Sequence, residues 1–170
     1  MLELVKFPNS ILSETLPDYS FENPIMDPLD LEKEMILLMA KENGRGLSAN
    51  QVGIRARVMV IKTVNLAGAL TPFALFNPIL LETDNELVQD YEGCLSFPDL
   101  FLSIKRPKNA VIQFLDRNKK EYIIELNGVD ARCFLHELDH LNGICFTNGI
   151  SKLKLDMALK RKRKLNGRTK

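Results

Sequence analysis

No apolar run in these 170 residues approaches the about 20 needed to cross a bilayer. Met1 to Pro8 shows neither a basic start leading into an apolar stretch nor an Arg- and Ser-rich leader. A soluble, cytoplasmic chain with no membrane partner is therefore expected. Cysteine is scarce: Cys94, Cys133 and Cys145 are three, with no C-x-x-C pair, which argues against a disulfide framework or a four-cysteine zinc knot. A cysteine that matters here would act as a thiolate. Nine Gly and eight Pro are too few for a collagenous or low-complexity chain, and there is neither an internal repeat nor the G-K-[ST] step of a phosphate loop. What is present, 45% hydrophobic and 26% charged residues, is ordinary globular composition with length for one well-buried core.

The net charge of +1 conceals an asymmetry. Residues 150–170 hold nine Lys/Arg and one Asp, a balance of +8, whereas residues 1–149 carry −7. Lys160-Arg-Lys-Arg-Lys164, set among Leu153, Leu155, Leu159 and Leu165, suggests a basic helix with a thin apolar stripe. Such a segment attracts polyanions such as RNA or a ribosome surface; the plainer reading is a solvated, partly frayed terminal helix. No DNA partner is expected.

Asp27-Pro28 is an N-cap followed by proline at the first helical position, and Leu31, Met35, Leu38 and Met39 continue with helical spacing up to Gly44. Gly44-Arg-Gly-Leu-Ser-Ala-Asn-Gln-Val-Gly53 is too rich in turn residues for either regular element. Val58–Ile61 reads as a buried strand, and Phe73–Phe76 and Ile79–Leu81 as two more, separated by Asn77-Pro78. Val111–Leu115 and Tyr122–Leu126 flank a hairpin-like connection, and Val129–Leu141 is a second helix stopped by Asn142-Gly143. Strands in the middle with helices on both sides, lacking βαβ alternation, predict an α+β fold.

The only two histidines lie in His136-Glu-Leu-Asp-His140, and on a helix their four-residue spacing turns both imidazoles to one side, where they can hold a divalent metal. A catalytic metal needs a third protein ligand and an open position. The metzincin third histidine is excluded, because Phe146 stands there, and no Glu follows Glu137 anywhere in the chain. Cys133 lies two turns from His140, a rise of roughly 10 Å, too far for all three side chains to meet one ion. Cys145, just past the helix stop, remains geometrically open; Cys94, in Glu92-Gly-Cys-Leu-Ser96, is better placed on composition.

Taken in order, Gly44-Arg-Gly-Leu-Ser-Ala-Asn-Gln51, Glu92-Gly-Cys-Leu-Ser96 and His136-Glu-Leu-Asp-His140 resemble the three signature motifs of the peptide deformylases. The resemblance implies antiparallel β-sheets around a central helix carrying H-E-x-x-H, with an N-terminal helix and a basic C-terminal helix. Residues 1–150 would form a single deformylase-like catalytic domain and residues 151–170 a basic C-terminal helix or tail. It further implies Cys94, His136 and His140 as metal ligands with water as the fourth, and Glu137 as acid/base. Gln51 and the Leu95 N–H would act as donors to the reacting carbonyl oxygen, and Gly46, Arg45 and Cys133 would lie against the substrate. One divalent metal is implied, ferrous iron in the cell with zinc or nickel as substitutes. The substrate would be N-formylmethionyl nascent peptides, with the ribosome a further partner through the basic tail.

Three positions depart from the commonest form of these motifs. Ser48 replaces an alanine, a small change expected to be tolerated. Arg45 stands where many relatives have an aliphatic residue near the methionine pocket, and Phe101 where many bacterial members carry an arginine that positions the peptide. The alternatives are an H-E-x-x-H amidase or peptidase of other specificity, and a catalytically vestigial ribosome- or RNA-binding protein. Intact Glu137 and Gln51 argue against the latter, since a structural metal site needs neither.

Overall fold

The computed structural model describes residues 1–64 and 70–166. The first long element is α1 (Pro28–Lys41): Asp27 accepts from the N–H groups of Leu29 and Asp30, and Pro28 fills the position whose N–H would go unused. Leu31, Met35, Leu38 and Met39 form its buried face. A five-stranded antiparallel sheet follows in the order β1-β2-β3-β6-β7, with β1 (Gly46–Ser48), β2 (Val58–Val64), β3 (Leu70–Thr83), β6 (Asn109–Leu115) and β7 (Glu121–Asn127). The separate pair β4 (Leu87–Cys94) and β5 (Phe97–Pro107) makes a two-stranded antiparallel sheet. Helix α2 (Gly128–Leu141) packs on both sheets, burying Ala131, Phe134, Leu135, Leu138 and Leu141. This is the expected α+β architecture, antiparallel sheets around the helix that carries both histidines.

Local expectations met three corrections. The glycine-rich stretch, read as irregular, forms β1 and a 3-10 turn at Ala49–Val52. Phe73–Phe76 and Ile79–Leu81 are not two strands but parts of β3; register shifts at Phe76/Ile79 and Leu80/Glu82 absorb Asn77, whose φ is +49°, and Pro78. A bulge bends a strand without ending it. Nothing in the sequence analysis signalled the β4–β5 hairpin, because β4 is mostly solvent-exposed and lacks a continuous apolar face.

Behind α2 the chain turns at Gly143, with φ +72°, where an added Cβ would meet the Ser13 carbonyl at 2.7 Å. It then enters α3 (Lys152–Asn166), the basic segment anticipated from charge. Leu155, Ala158 and Leu159 pack on a small second core that includes Ile11, Leu12, Phe97 and Leu100. Leu153 does not join the expected stripe, being exposed. The side chain of Leu165 and all of residues 167–170 lie outside the described residues.

Candidate metal centre and cleft

On α2 the i, i+4 spacing does what helix geometry requires: His136 and His140 project to one side with ring centroids 5.0 Å apart. Cys94 reaches them from the end of β4. Leu95 and Ser96 form the tight turn to β5, and Cys94 pairs with Phe97 across it. The ligand atoms of Cys94, His136 and His140 all lie within 4.8 Å of one another, and Cys94 Sγ is 3.2 Å from His140 Nε2. Among the described residues this is the one such grouping, and it includes neither Cys133 nor Cys145. Cys145 instead points its thiol at the Leu12 carbonyl, 3.6 Å away.

A buried carboxylate sets the imidazole orientation. Glu92 Oε2 accepts from His136 Nδ1 at 3.0 Å, which leaves Nε2 for the cluster. Glu92 is itself gripped by Arg106 through two bonds of 2.6 and 3.0 Å and by Arg132 Nη1 at 2.6 Å. Arg106 also binds Asp139 of α2, and Arg132 donates to the carbonyls of Ile104 and Val88, so α2 and the hairpin are tied together through these groups. Asn50 Nδ2 donates to the His140 carbonyl at 2.6 Å.

The electrostatics follow from burial and neighbours. Burial alone would raise the Glu92 carboxyl; hydrogen bonds from His136 and Arg106 and their charges outweigh it and hold Glu92 at about 2. Burial, reinforced by the positive charge of His136 and Arg106, drops His140 to about 3, so it is a neutral imidazole, the form that binds metals. His136 is opposed by burial too, yet its bonds to Cys94 and Glu92 and the charge of Glu137 raise it to about 10. That affinity for a proton marks a spot that collects negative charge, as a cation site does. Glu137, buried beside the cluster, is lifted to about 7, chiefly by desolvation. Burial and the Glu137 charge push the Cys133 thiol well up, so it is the neutral thiol and a poor ligand.

Glu137 Oε2 and His140 Nδ1 are buried without a hydrogen-bond partner among the described residues. Such atoms are costly unless a further polar group satisfies them. One cysteine sulfur, two imidazoles and an adjacent carboxylate with one unpartnered oxygen fit a four-coordinate catalytic metal whose last position belongs to water.

The cluster opens into a cleft of about 470 Å³. One wall is α2, with Val129, Arg132, Cys133 and Glu137; another is the hairpin, with Gly93, Leu95 and Phe101; the third is the segment Glu42–Gly46. A Cβ at position 46 would sit 2.5 Å from Glu137 Oε1 and 2.8 Å from Cys133 Sγ, so only glycine lets β1 run this close to α2. β1 is the terminal strand of its sheet, paired on one side only. Arg45 lines the cleft with its guanidinium 2.5 Å from Asp130, and Asp130 in turn accepts from Thr63. Gln51 donates through Nε2 to Ser96 Oγ at 3.2 Å and to Cys94 Sγ at 3.4 Å, which places its amide beside the cluster. All nine sequence-chosen residues thus converge. Arg106 and Arg132 stand outside the roles expected from sequence, and Glu92 and Asn50 lie within the motifs but had no role expected of them.

The polypeptide deformylase family model matches residues 1–156. A peptide deformylase of Agrobacterium fabrum is 37% identical over 133 residues, covering 78% of each chain. One from Thermodesulfovibrio yellowstonii is 36% identical over 164 residues, covering 95% of this chain and 96% of its own. Among solved structures, a peptide deformylase from Synechococcus elongatus in complex with actinonin superposes with a TM-score of 0.85 at 32% identity, covering 95% of this chain and 88% of that one. The Thermotoga maritima peptide deformylase does so with a TM-score of 0.80 at 34% identity, over 89% and 98%.

Proposed function

The chain belongs to the polypeptide deformylase family, metal-dependent hydrolases that remove the formyl group from the N-terminal methionine of new proteins and release formate, and we infer from that premise how its residues divide the work. The observation that carries the reading is the convergence of Cys94, His136 and His140 next to buried Glu137. These three side chains would hold one divalent ion. A thiolate with two imidazoles suits iron, zinc or nickel, and we assign ferrous iron as the ion used in the cell. Such an ion would supply Lewis acidity, making its bound water acidic enough to yield a nucleophile near neutral pH and polarising the formyl oxygen.

Glu137 has the work of moving the proton. With a carboxyl poised at about 7 it can take one from the attacking water and hand it to the leaving amine, which departs as the free N-terminus. Gln51 Nε2 and the Leu95 backbone N–H face the position of the formyl oxygen and stabilise negative charge as it develops there; in comparable oxyanion holes one donor contributes about 3 kcal/mol. The peptide lies extended along the free edge of β1 at Gly46, with the methionine side chain between α2 and the hairpin beside Cys133. Arg45 borders its exit.

Residues 1–150 constitute the catalytic unit in this reading. The segment 151–170, basic throughout, is the contact to the ribosome surface, and the protein acts in the cytoplasm. No helix of the described residues is long and apolar enough to cross a membrane.

The test is formate release from a short N-formylmethionyl peptide by protein loaded anaerobically with ferrous iron, with Glu137→Gln as control. Turnover in the wild type alone supports both the reaction and the base. No turnover with metal bound would overturn the reading.

A further inference from the structure

Ser48 stands where the commonest form of its motif has alanine, and its hydroxyl is not idle. The residue is fully buried at the junction of β1 and the 3-10 turn. Its backbone N–H donates to Gln51 Oε1 at 2.9 Å, and its hydroxyl lies 2.9 Å from the same oxygen. The hydroxyl is also 2.9 Å from Asn50 Oδ1, whose amide nitrogen is committed to the carbonyls of His140 and Ile11.

An amide side chain has two ends of similar shape and opposite polarity. The Ser48 N–H, joined by the hydroxyl when its single proton turns to Gln51 Oε1 and not to Asn50 Oδ1, selects one of them. The flipped amide would set an NH₂ against the Ser48 N–H and turn its carbonyl oxygen toward the Cys94 sulfur, where an acceptor would repel rather than stabilise developing negative charge. Ser48 is neither a metal ligand nor a lining residue of the cleft, but its hydroxyl bears on both the Gln51 amide and the Glu137 carboxyl, so its effect on chemistry must pass through one of these two neighbours.

We propose that the Ser48 hydroxyl is a positioning group for catalysis, locking the Gln51 amide with its N–H face toward the metal centre. The inference rests on reading Gln51 as the donor to the reacting oxygen. An alanine at position 48 keeps the backbone bond and loses the side-chain bond. Gln51 then spends less time correctly aimed, and because its bond matters most in the transition state, the loss falls on kcat and not on KM.

The test is a double-mutant cycle on the metal-loaded enzyme, Ser48→Ala, Gln51→Leu and the pair, with kcat and KM measured on an N-formylmethionyl peptide and metal content and Tm recorded for each. One neutral hydrogen bond corresponds to about a fivefold fall in kcat for Ser48→Ala, with KM and bound metal unchanged. In the Gln51→Leu background the same substitution should cost nothing more. A Ser48→Ala enzyme with wild-type kcat, while Gln51→Leu is impaired, overturns the inference and leaves the reading of Gln51 intact. A fivefold loss repeated in the Gln51→Leu background also overturns it, since the hydroxyl would then act by another route. Full turnover by Gln51→Leu would remove the reading of Gln51 and this inference together.

Discussion

As the proposed base, Glu137 must lose a proton readily and yet be basic enough to accept one from water, and its surroundings meet both demands. Desolvation lifts the carboxyl to about 7, while the charge of His136, a hydrogen bond from Ser48 and the charge of Arg106 keep it from rising further. Glu137→Gln keeps the shape and removes the base. Turnover should fall by about 10²–10⁴-fold with metal content unaltered, as read by formate release and metal analysis on the same sample. Near-normal turnover would dismiss Glu137 as the base. The three cysteines separate as cleanly. Cys94→Ala removes one of the three proposed ligands and should lose the metal, whereas Cys133→Ala, outside the cluster, and Cys145→Ala, whose thiol faces the Leu12 carbonyl, should keep it. Retention by the first and loss by either of the others would mean the sulfur ligand is misassigned. At this scale the sequence was highly informative, because four-residue helical spacing converts a string of letters directly into a face. Ser48 was not legible in this way: the sequence marks it only as a tolerated replacement of alanine, whereas its S-x-x-Q spacing to Gln51 forms a capping box in which the Gln51 side chain returns to the Ser48 N–H, and the site role of the hydroxyl needs the three-dimensional neighbours.

Between elements, Glu92 is the group through which α2 and the β4–β5 hairpin hold each other. His136 comes from the helix, Arg106 from β5, and Arg132 from the helix again but reaching across to the hairpin carbonyls. None of this could be read from the chain, because Arg106 is 14 residues and His136 44 residues from Glu92, and nothing local marks a long-range ion pair. The bulged course of β3 was missed for a related reason: Asn77-Pro78 is a stop signal locally, and only the neighbours β2 and β6 show that the strand continues. Glu92 also predicts an acid response. Its folded pKa of about 2 lies below its ordinary 4.5, so its stabilisation is complete above pH 4.5 and disappears as pH falls toward 2. In metal-free protein His136 stays protonated over that window and adds no slope. Urea unfolding of wild type and Glu92→Gln should therefore differ by on the order of 3 kcal/mol near pH 5 and converge toward pH 2. A gap independent of pH would show that Glu92 is not held as the charged partner of these arginines.

Over the whole molecule, charge and packing divide α3 into two parts with different work. Its first half supplies Leu155, Ala158 and Leu159 to the small core beneath the hairpin, next to Phe97 and Leu100. Its second half supplies the cations Lys160 to Lys164, on a chain whose first 149 residues carry −7. Removing residues 152–170 uncovers that core and should cost about 3 kcal/mol by the apolar surface returned to water, seen as a lower Tm. Removing residues 160–170 leaves the packed half in place. Turnover of a short formylated peptide should then survive, because Cys94, His136, His140 and Glu137 all lie on other elements, while affinity for ribosomes falls. The full chain's affinity should decline linearly with salt on logarithmic axes, with a slope that becomes shallower when the cations are deleted, since each phosphate contact releases counterions. An unchanged slope would make the end of α3 a solvated terminus and would leave the proposed catalytic unit, residues 1–150, to find nascent chains by diffusion alone.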